Sequence, residues 1–217
     1  MKGLILKDFI NLKKNVKIFA VLVVLYGFMA FTTSDVNFFS SMFTMMIAIL
    51  TLSVYSYDEL AKWDVYALTM PVSREGVVRG KYVIMLLLTL MGAVIGTLST
   101  IVIKMIQQDK NLMSGLSGAW IGGAIVILFY SIALPFITKL GVEKARFIFF
   151  AIYLVPFAIF YFAGNAVKSG DFVIPEQLIR LGEKLVQNIA ILAPLVLAFA
   201  VMVSYTISVN IYRKKEF

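Results

Sequence analysis

The sequence contains neither cysteine nor histidine among its 217 residues. Without cysteine, disulfide bonds and thiolate metal sites are excluded, and without histidine the commonest general base and transition-metal ligand are missing. Charged residues are also scarce, at 15% of the chain. Because a soluble domain carries about a quarter charged residues, this chain has too few charges to cover a surface that faces water.

Long apolar segments account for most of the chain, which is 61% hydrophobic with a mean hydropathy of +0.92. A helix needs about 20 apolar residues to cross roughly 30 Å of hydrocarbon. Six segments free of Asp, Glu, Lys and Arg fit this length: 18–34, 38–57, 82–103, 115–138, 147–167 and 190–212. The sequence therefore predicts an all-α polytopic membrane protein with six transmembrane helices in a single domain, 1–217.

The distribution of basic residues predicts the orientation of these helices. Fifteen of the twenty Lys and Arg residues lie in the N-terminal segment, in the loops 58–81 and 139–146, and in the C-terminal tail. The positive-inside rule places these segments, and hence both termini, in the cytoplasm. The same bias accounts for the net charge of +8, so it gives no reason to expect a nucleic-acid partner.

The N-terminal segment, 1–17, has the pattern of an amphipathic helix. Leu4, Ile5, Phe9, Leu12 and Val16 share one helical face, whereas the lysines lie largely on the other. We expect an interfacial helix with its apolar face in the lipid and its lysines near anionic head groups. The alternative is an ordinary positively charged flank of the first span.

The predicted extracellular segment, 168–189, contains a second helical pattern at residues 175–187. Proline stands in the first turn of this pattern, and Leu178, Leu181 and Leu185 recur at helical spacing. The pattern predicts either a surface helix or a short re-entrant helix.

The loop of residues 58–81 (the 58–81 loop) predicts a helix, a break and a second helix. Leu60, Trp63 and Ala67 fall on one face of the first helix. Pro71 should end this helix, because the residue before a proline is disfavoured in the α conformation. Ser73 is a suitable N-cap for a helix that continues into the third span, with Glu75 in its positive first turn.

Two stripes inside the predicted spans allow more than one interpretation. Hydroxyl-bearing and small residues follow one face of the second span, and aromatic residues follow one face of the fifth. Either stripe could line a substrate path, but the first could equally mediate helix packing and the second could face lipid or the protein core. The candidate path residues are Ser41, Thr44, Thr51, Tyr55, Phe150, Tyr153 and Phe157. Two Gly-x-x-x-Gly pairs, at 92/96 and 118/122, predict close helix packing.

The run DELAKWDVYALTMPVSREGVVRGKY resembles the first cytoplasmic loop of short type-2 ABC-transporter permeases, and MKGLILKDFINLKKN resembles their N-terminal elbow helix. Within this family the chain is similar to the permease subunits of phenol-soluble modulin exporters of Gram-positive bacteria. The resemblance implies a coupling helix that docks on a separate ATPase subunit. The residues it assigns to that interface are Asp58, Glu59, Lys62, Trp63, Tyr66, Pro71 and Arg74.

The resemblance further implies an exporter of amphipathic peptides in the bacterial plasma membrane, formed by two permease copies or by one copy and a paralogue. A different hydrophobic cargo, such as a drug, a bacteriocin or a lipid, is the alternative. ATP and Mg²⁺ should bind the partner, because the only Gly-Lys pair, Gly80-Lys81, lacks the spacing of a P-loop. We expect no catalytic, cofactor or metal site in this chain.

Three other functions fit the sequence less well. A secondary transporter usually has an ionisable residue at mid-membrane, and the predicted spans contain none. An intramembrane hydrolase cannot be assembled without histidine, cysteine or buried carboxylates in the spans. A membrane immunity protein that acts with an ATPase is not excluded by the sequence.

Overall fold

The computed structural model describes residues 2–32, 36–67, 69, 72–107, 116–168, 177, 180 and 187–215. Every regular element in these ranges is helical, which confirms the predicted all-α class. The helices are α1 (Lys2–Leu12), α2 (Val16–Thr32), α3 (Val36–Leu60), α4 (Trp63–Ala67), α5 (Arg74–Ile106), α6 (Leu116–Leu140), α7 (Val142–Lys168) and α8 (Ile189–Lys214), and a 3₁₀ turn (Lys13–Asn15) separates α1 from α2.

Four of the described helices, α3, α5, α6 and α8, are long and apolar enough to cross a membrane. The chain is therefore a multi-pass membrane protein. Helices α2 and α7 coincide with the first and fifth predicted spans. That these two helices also cross the bilayer, and which end of the bundle faces the cytoplasm, remain predictions.

Both ends of the described chain lie at one end of the helical bundle, which we call the loop end because it carries the 58–81 loop. Near the N-terminus, Lys7 Nζ lies 2.7 Å from Asp58 Oδ1. Near the C-terminus, the Tyr212 hydroxyl donates a hydrogen bond to Asp64 Oδ1 at 3.1 Å. Because both ends lie at the same end of the bundle, the chain must cross the length of the bundle an even number of times between α1 and the end of α8.

Helix α3 packs closely against α5 and α6 through the glycines of the two Gly-x-x-x-Gly pairs. A Cβ atom on Gly96 would lie 2.9 Å from the carbonyl oxygen of Ser40, and one on Gly122 would lie 2.8 Å from that of Ser41. Gly92 and Gly118 approach the α3 backbone in the same way. These glycines are therefore close-packing positions between helices, as predicted.

The hydroxyl stripe of α3 lies in the same contact. Thr44 and Thr51 are completely buried, and Thr44 Oγ1 donates to the carbonyl oxygen of Ser40 at 3.2 Å. Ser41, which is half-buried, packs on Gly122. The structure thus favours helix packing over a substrate path for these three residues.

The amphipathic helix α1 forms as predicted, but its apolar face contacts protein. Ile5 and Phe9 pack against a cluster of Val54, Ile84 and Leu88 that also contains Leu12. In this structure Ile5 and Phe9 of this face therefore meet α3 and α5, which offer an apolar surface at the same level, so the face does not contact lipid alone. Leu6 and Ile10 are the side chains of α1 that stay exposed.

Some predicted features lie outside the described residues. Pro71 is one of them. Within 175–187, the structure describes only positions 177, 180 and 187. Phe150, Tyr153 and Phe157 belong to α7, but their side chains are outside the described part of the chain.

Candidate functional site

The 58–81 loop folds as a helix, a break and a second helix, as the sequence predicted. Helix α3 ends at Leu60, and Lys62 then adopts a φ of 48°, a left-handed conformation that redirects the chain into the five-residue helix α4. Helix α5 begins at Arg74, where the Ser73 side chain accepts a hydrogen bond from Gly76 N at 3.0 Å. Helix α5 is 33 residues long, or about 50 Å, which exceeds the roughly 30 Å of a bilayer's hydrocarbon core.

A buried cluster of two acids and two lysines lies at the base of this loop. Asp58 forms ion pairs with Lys81 and, at 2.7 Å, with Lys7. Lys7 also lies 3.0 Å from Asp8 Oδ1. Burial raises the pKa of the Asp8 carboxyl group, against the lowering effect of Lys81 and Lys7. The cluster is electrically balanced, and it joins α1, α3 and α5.

Two aromatic rings cover the lysines of this cluster. Lys7 Nζ lies 4.1 Å from the ring centroid of Trp63, and Lys81 Nζ lies 4.9 Å from that of Tyr55. Both distances fall within the range of cation–π interactions. Trp63 is half-buried against the core. It therefore anchors α4 to the bundle instead of projecting from it.

Glu59 attaches the end of α3 to the turn between α6 and α7. Its Oε2 atom accepts a hydrogen bond from Val142 N, the first residue of α7, at 2.6 Å. A carboxylate is favourable there because the first N–H groups of a helix lack intrahelical partners. Gly141 ends α6 with a φ of 81°, and a Cβ atom at this position would collide with the Glu59 carboxylate. The position therefore requires glycine.

The C-terminal end of α8 binds the other side of the loop. The Arg74 guanidinium donates hydrogen bonds to the carbonyl oxygens of Arg213 and, at 3.3 Å, of Lys215. Glu75 and Arg213 form an exposed ion pair, and Tyr212 donates to Asp64. These contacts connect α4 and the start of α5 to the last turn of α8.

A cavity of about 220 Å³ lies between these attachments. Tyr55, Asp58 and Asp64 line it from the loop side, and residues of the α6–α7 turn and the end of α8 line it from the other.

The predicted interface residues divide into two groups. Asp58, Glu59, Trp63 and Arg74 point towards the bundle and attach the loop to it. Lys62 and Tyr66 are exposed, with Tyr66 at 61%, and Leu60 and Val65 add exposed apolar surface at 79% and 52%. Leu60, Lys62, Val65 and Tyr66 therefore form an exposed surface on the described part of the loop, which we call the tip.

Sequence reasoning missed several attachment residues, namely Lys7, Asp8, Asp64, Lys81, Tyr212 and Arg213. The prediction counted the basic ones only as positive-inside charges, and it placed Lys7 on the face of α1 that meets head groups. One signal was present, because Asp8 is the only acid among the first 34 residues. A single carboxylate within a basic amphipathic helix indicates a specific partner.

Comparison with protein families gives one match that covers nearly the whole chain. The family model described as "ABC-2 family transporter protein" matches residues 3–213. The chain belongs to this family. Comparisons with curated proteins and with solved structures found no match.

Membership of the ABC-2 family defines the broad role of the chain. ABC-2 membrane proteins are the permease component of ABC transporters, are not themselves catalytic, and generally work with an ABC nucleotide-binding subunit and the membrane. Among the described residues, no group of three or more Asp and Glu residues is placed to bind a metal ion.

Proposed function

We propose that this chain is the permease half of a bacterial exporter, with six spans and cytoplasmic termini, and that a separate ATPase docks on the tip of the 58–81 loop. The observation that carries the proposal is the exposure of Leu60, Val65 and Tyr66 on a loop whose base is fixed by buried ion pairs. Exposed aromatic and apolar side chains on a polar segment are typical of interface anchors. ATP and Mg²⁺ would bind the ATPase.

Transmission of force from the ATPase follows from the attachments of the loop. A displacement of α4 acts on α1 through Trp63 and Lys7 and on α8 through Asp64 and Tyr212. A displacement of the adjoining end of α3 acts on α7 through Glu59. Closure of an ATPase dimer on bound ATP would thus move several helices together. The ATPase can drive the change only if it binds the loop differently in the two permease conformations.

Amphipathic peptides are the cargo we propose. The described membrane-spanning helices present apolar surfaces and few charges, which suits a cargo with an apolar face better than ions or sugars. The resemblance to phenol-soluble modulin exporters favours membrane-active helical peptides of a Gram-positive cell. Two permease copies, or one copy and a paralogue, would form the path between them.

Docking predicts a large effect of Tyr66→Ala on ATPase binding. Loss of an aromatic anchor typically weakens an interface by about tenfold or more. We expect the tagged variant to recover at least about tenfold less of the ABC nucleotide-binding subunit from its own membranes than the parent does. Tyr161→Ala is the matched control, because Tyr161 is exposed to a similar extent, 58%, but lies on α7. Equal recovery with both variants would show that the tip is not the docking surface.

Cargo is tested with the purified permease–ATPase complex in vesicles. We expect a synthetic amphipathic helical peptide to stimulate ATP hydrolysis, and a peptide of the same composition with a scrambled, non-amphipathic order to leave the rate unchanged. Tyr66→Ala should abolish the stimulation because the ATPase is then uncoupled. No stimulation by the amphipathic peptide, or equal stimulation by both peptides, would contradict the proposed cargo while leaving the docking result intact.

A further inference from the structure

An apolar groove of about 540 Å³ lies beside the contact of α1 with α3 and α5, and it is lined by residues of α1, α2, α3 and α5. Phe9 and Phe19 line it on one side, and Leu50, Leu88 and Met91 line it on the other. Its size falls within the range of about 300–1,000 Å³ that is typical of small-molecule sites. The groove is distinct from the charged cavity beneath the 58–81 loop.

Water is a poor occupant of this groove. A buried water needs two to four polar partners, and every lining residue except Lys13 is apolar. An empty space of this size would forfeit the dispersion contacts of all the side chains around it. Since the groove runs along the membrane-spanning helices α3 and α5, the acyl chains of the bilayer are the nearest material that can fill it.

The charges at one end of the groove select the head group of such a lipid. Lys13 lines the groove, and Lys14 and Lys17, which follow it in the chain, are exposed. Lys14 Nζ lies 6.0 Å from the ring centroid of Tyr57. Residues 9–34 contain no acid, and Asp8, the nearest acid along the chain, faces Lys7 in the buried cluster. The three lysines are therefore free of a neighbouring carboxylate on their own segment and give this end a positive potential.

We propose that this groove binds one acyl chain of an anionic phospholipid, with the phosphate of its head group against Lys13, Lys14 and Lys17. The lipid completes the packing between the elbow formed by α1 and α2 and the rest of the bundle. Each basic residue near an anionic head group contributes about fivefold in affinity. The site thus discriminates phosphatidylglycerol from zwitterionic phosphatidylcholine, although both present the same acyl chains.

A tryptophan placed in the groove can report the lipid directly. Phe19→Trp introduces the reporter, and Ile207→Trp introduces a control on the exposed surface of α8 near the same end of the bundle. The fluorescence of the parent chain, which contains Trp63 and Trp120, is subtracted from that of each variant. Two vesicle preparations have the same composition, phosphatidylcholine with a minority of phosphatidylglycerol. In one preparation the bromine is on phosphatidylglycerol, and in the other the same amount of bromine is on phosphatidylcholine.

We expect brominated phosphatidylglycerol to quench Phe19→Trp more strongly than brominated phosphatidylcholine does, with little difference at Ile207→Trp. Replacing Lys13, Lys14 and Lys17 by glutamine should remove this difference in quenching, because each lysine lost lowers the affinity for phosphatidylglycerol by about fivefold. Equal quenching by the two lipids at Phe19→Trp would overturn the proposal. So would the absence of quenching there, which would mean that the groove is closed or filled by a peptide or a second copy.

A second measurement on the parent chain does not depend on the folding of the reporter variant. Native mass spectrometry after detergent extraction is expected to detect phosphatidylglycerol retained in preference to phosphatidylcholine, and to show the preference reduced about fivefold by Lys13→Gln. Lys62→Gln, which removes an exposed lysine at the tip, should leave the retention unchanged. Retention of both lipids to the same extent, or equal losses in the two variants, would also overturn the proposal.

Discussion

Replacing Asp58 by asparagine alone is expected to destabilise the folded protein by about 3–5 kcal/mol, the usual cost of breaking a buried ion pair from one side. Asp58 and Lys81 are only 6% and 7% exposed. Without the Asp58 carboxylate, Asp8 is the single acid left in the cluster, beside two lysines. The remaining positive charge would be buried without compensation.

The double variant Asp58→Asn/Lys81→Met separates charge balance from other effects of the substitution. It removes one acid and one base, leaves the Lys7–Asp8 pair intact, and retains most of the aliphatic volume of Lys81. Replacing a buried ion pair by neutral groups of similar size is often nearly neutral in free energy. The double variant should therefore recover most of the stability lost by Asp58→Asn.

Thermal unfolding of the purified proteins in detergent provides the measurement. The order of stability expected is parent and double variant together, with Asp58→Asn well below them. If the double variant is as unstable as Asp58→Asn, the contribution of Asp58 comes from its particular hydrogen-bond geometry, and the account based on charge balance is wrong.

The helices could be predicted from the sequence because their signals are local. Each predicted span lies within a described helix or overlaps most of one, since an apolar run without charges determines the approximate position of such a helix. Helices α5 and α7 begin before their predicted spans, because a helix can continue past the apolar run into charged residues. The start of α5 was predicted for a similar reason. The bond from Gly76 N to Ser73 Oγ joins residues three positions apart, so the capping residue alone indicates it.

The attachments of the loop could not be predicted, because they join residues that are distant in the sequence. Asp58 meets Lys7 across 51 positions, and Asp64 meets Tyr212 across 148. The family resemblance placed Asp58, Trp63 and Arg74 at the docking surface, whereas the structure turns their side chains towards the bundle. Which side chains of a short helix point outwards depends on the bundle to which it attaches, and the local sequence pattern does not show how that bundle is arranged.

The same limit applies to the amphipathic helix α1. Periodicity shows which residues share an apolar face, but it does not show whether that face meets lipid or protein, since both are apolar. Ile5 and Phe9 meet protein. By contrast, the glycine pairs of α5 and α6 were interpreted correctly, because a small residue repeated every four positions on a membrane helix has few other uses.

Gly122→Ala is expected to destabilise the bundle by about 1–3 kcal/mol, the usual cost of overpacking. The added Cβ atom would lie 2.8 Å from the carbonyl oxygen of Ser41 and 2.9 Å from its Cα atom. Both neighbours are backbone atoms, which cannot rotate away as the end of a side chain can. Helices α3 and α6 would therefore have to separate along their contact.

Gly123→Ala is the matched control, because it makes the same chemical change one position further along α6. The nearest atom to its added Cβ is Thr89 Cγ2, at 3.6 Å, an ordinary van der Waals contact. Replacing glycine by alanine within a helix is intrinsically favourable by up to about 1 kcal/mol. We expect thermal unfolding to show Gly123→Ala at or above the stability of the parent and Gly122→Ala below it. If both variants are stabilised, the gain in helix propensity outweighs the contact, and α3 and α6 are not packed as closely in the membrane as the structure places them.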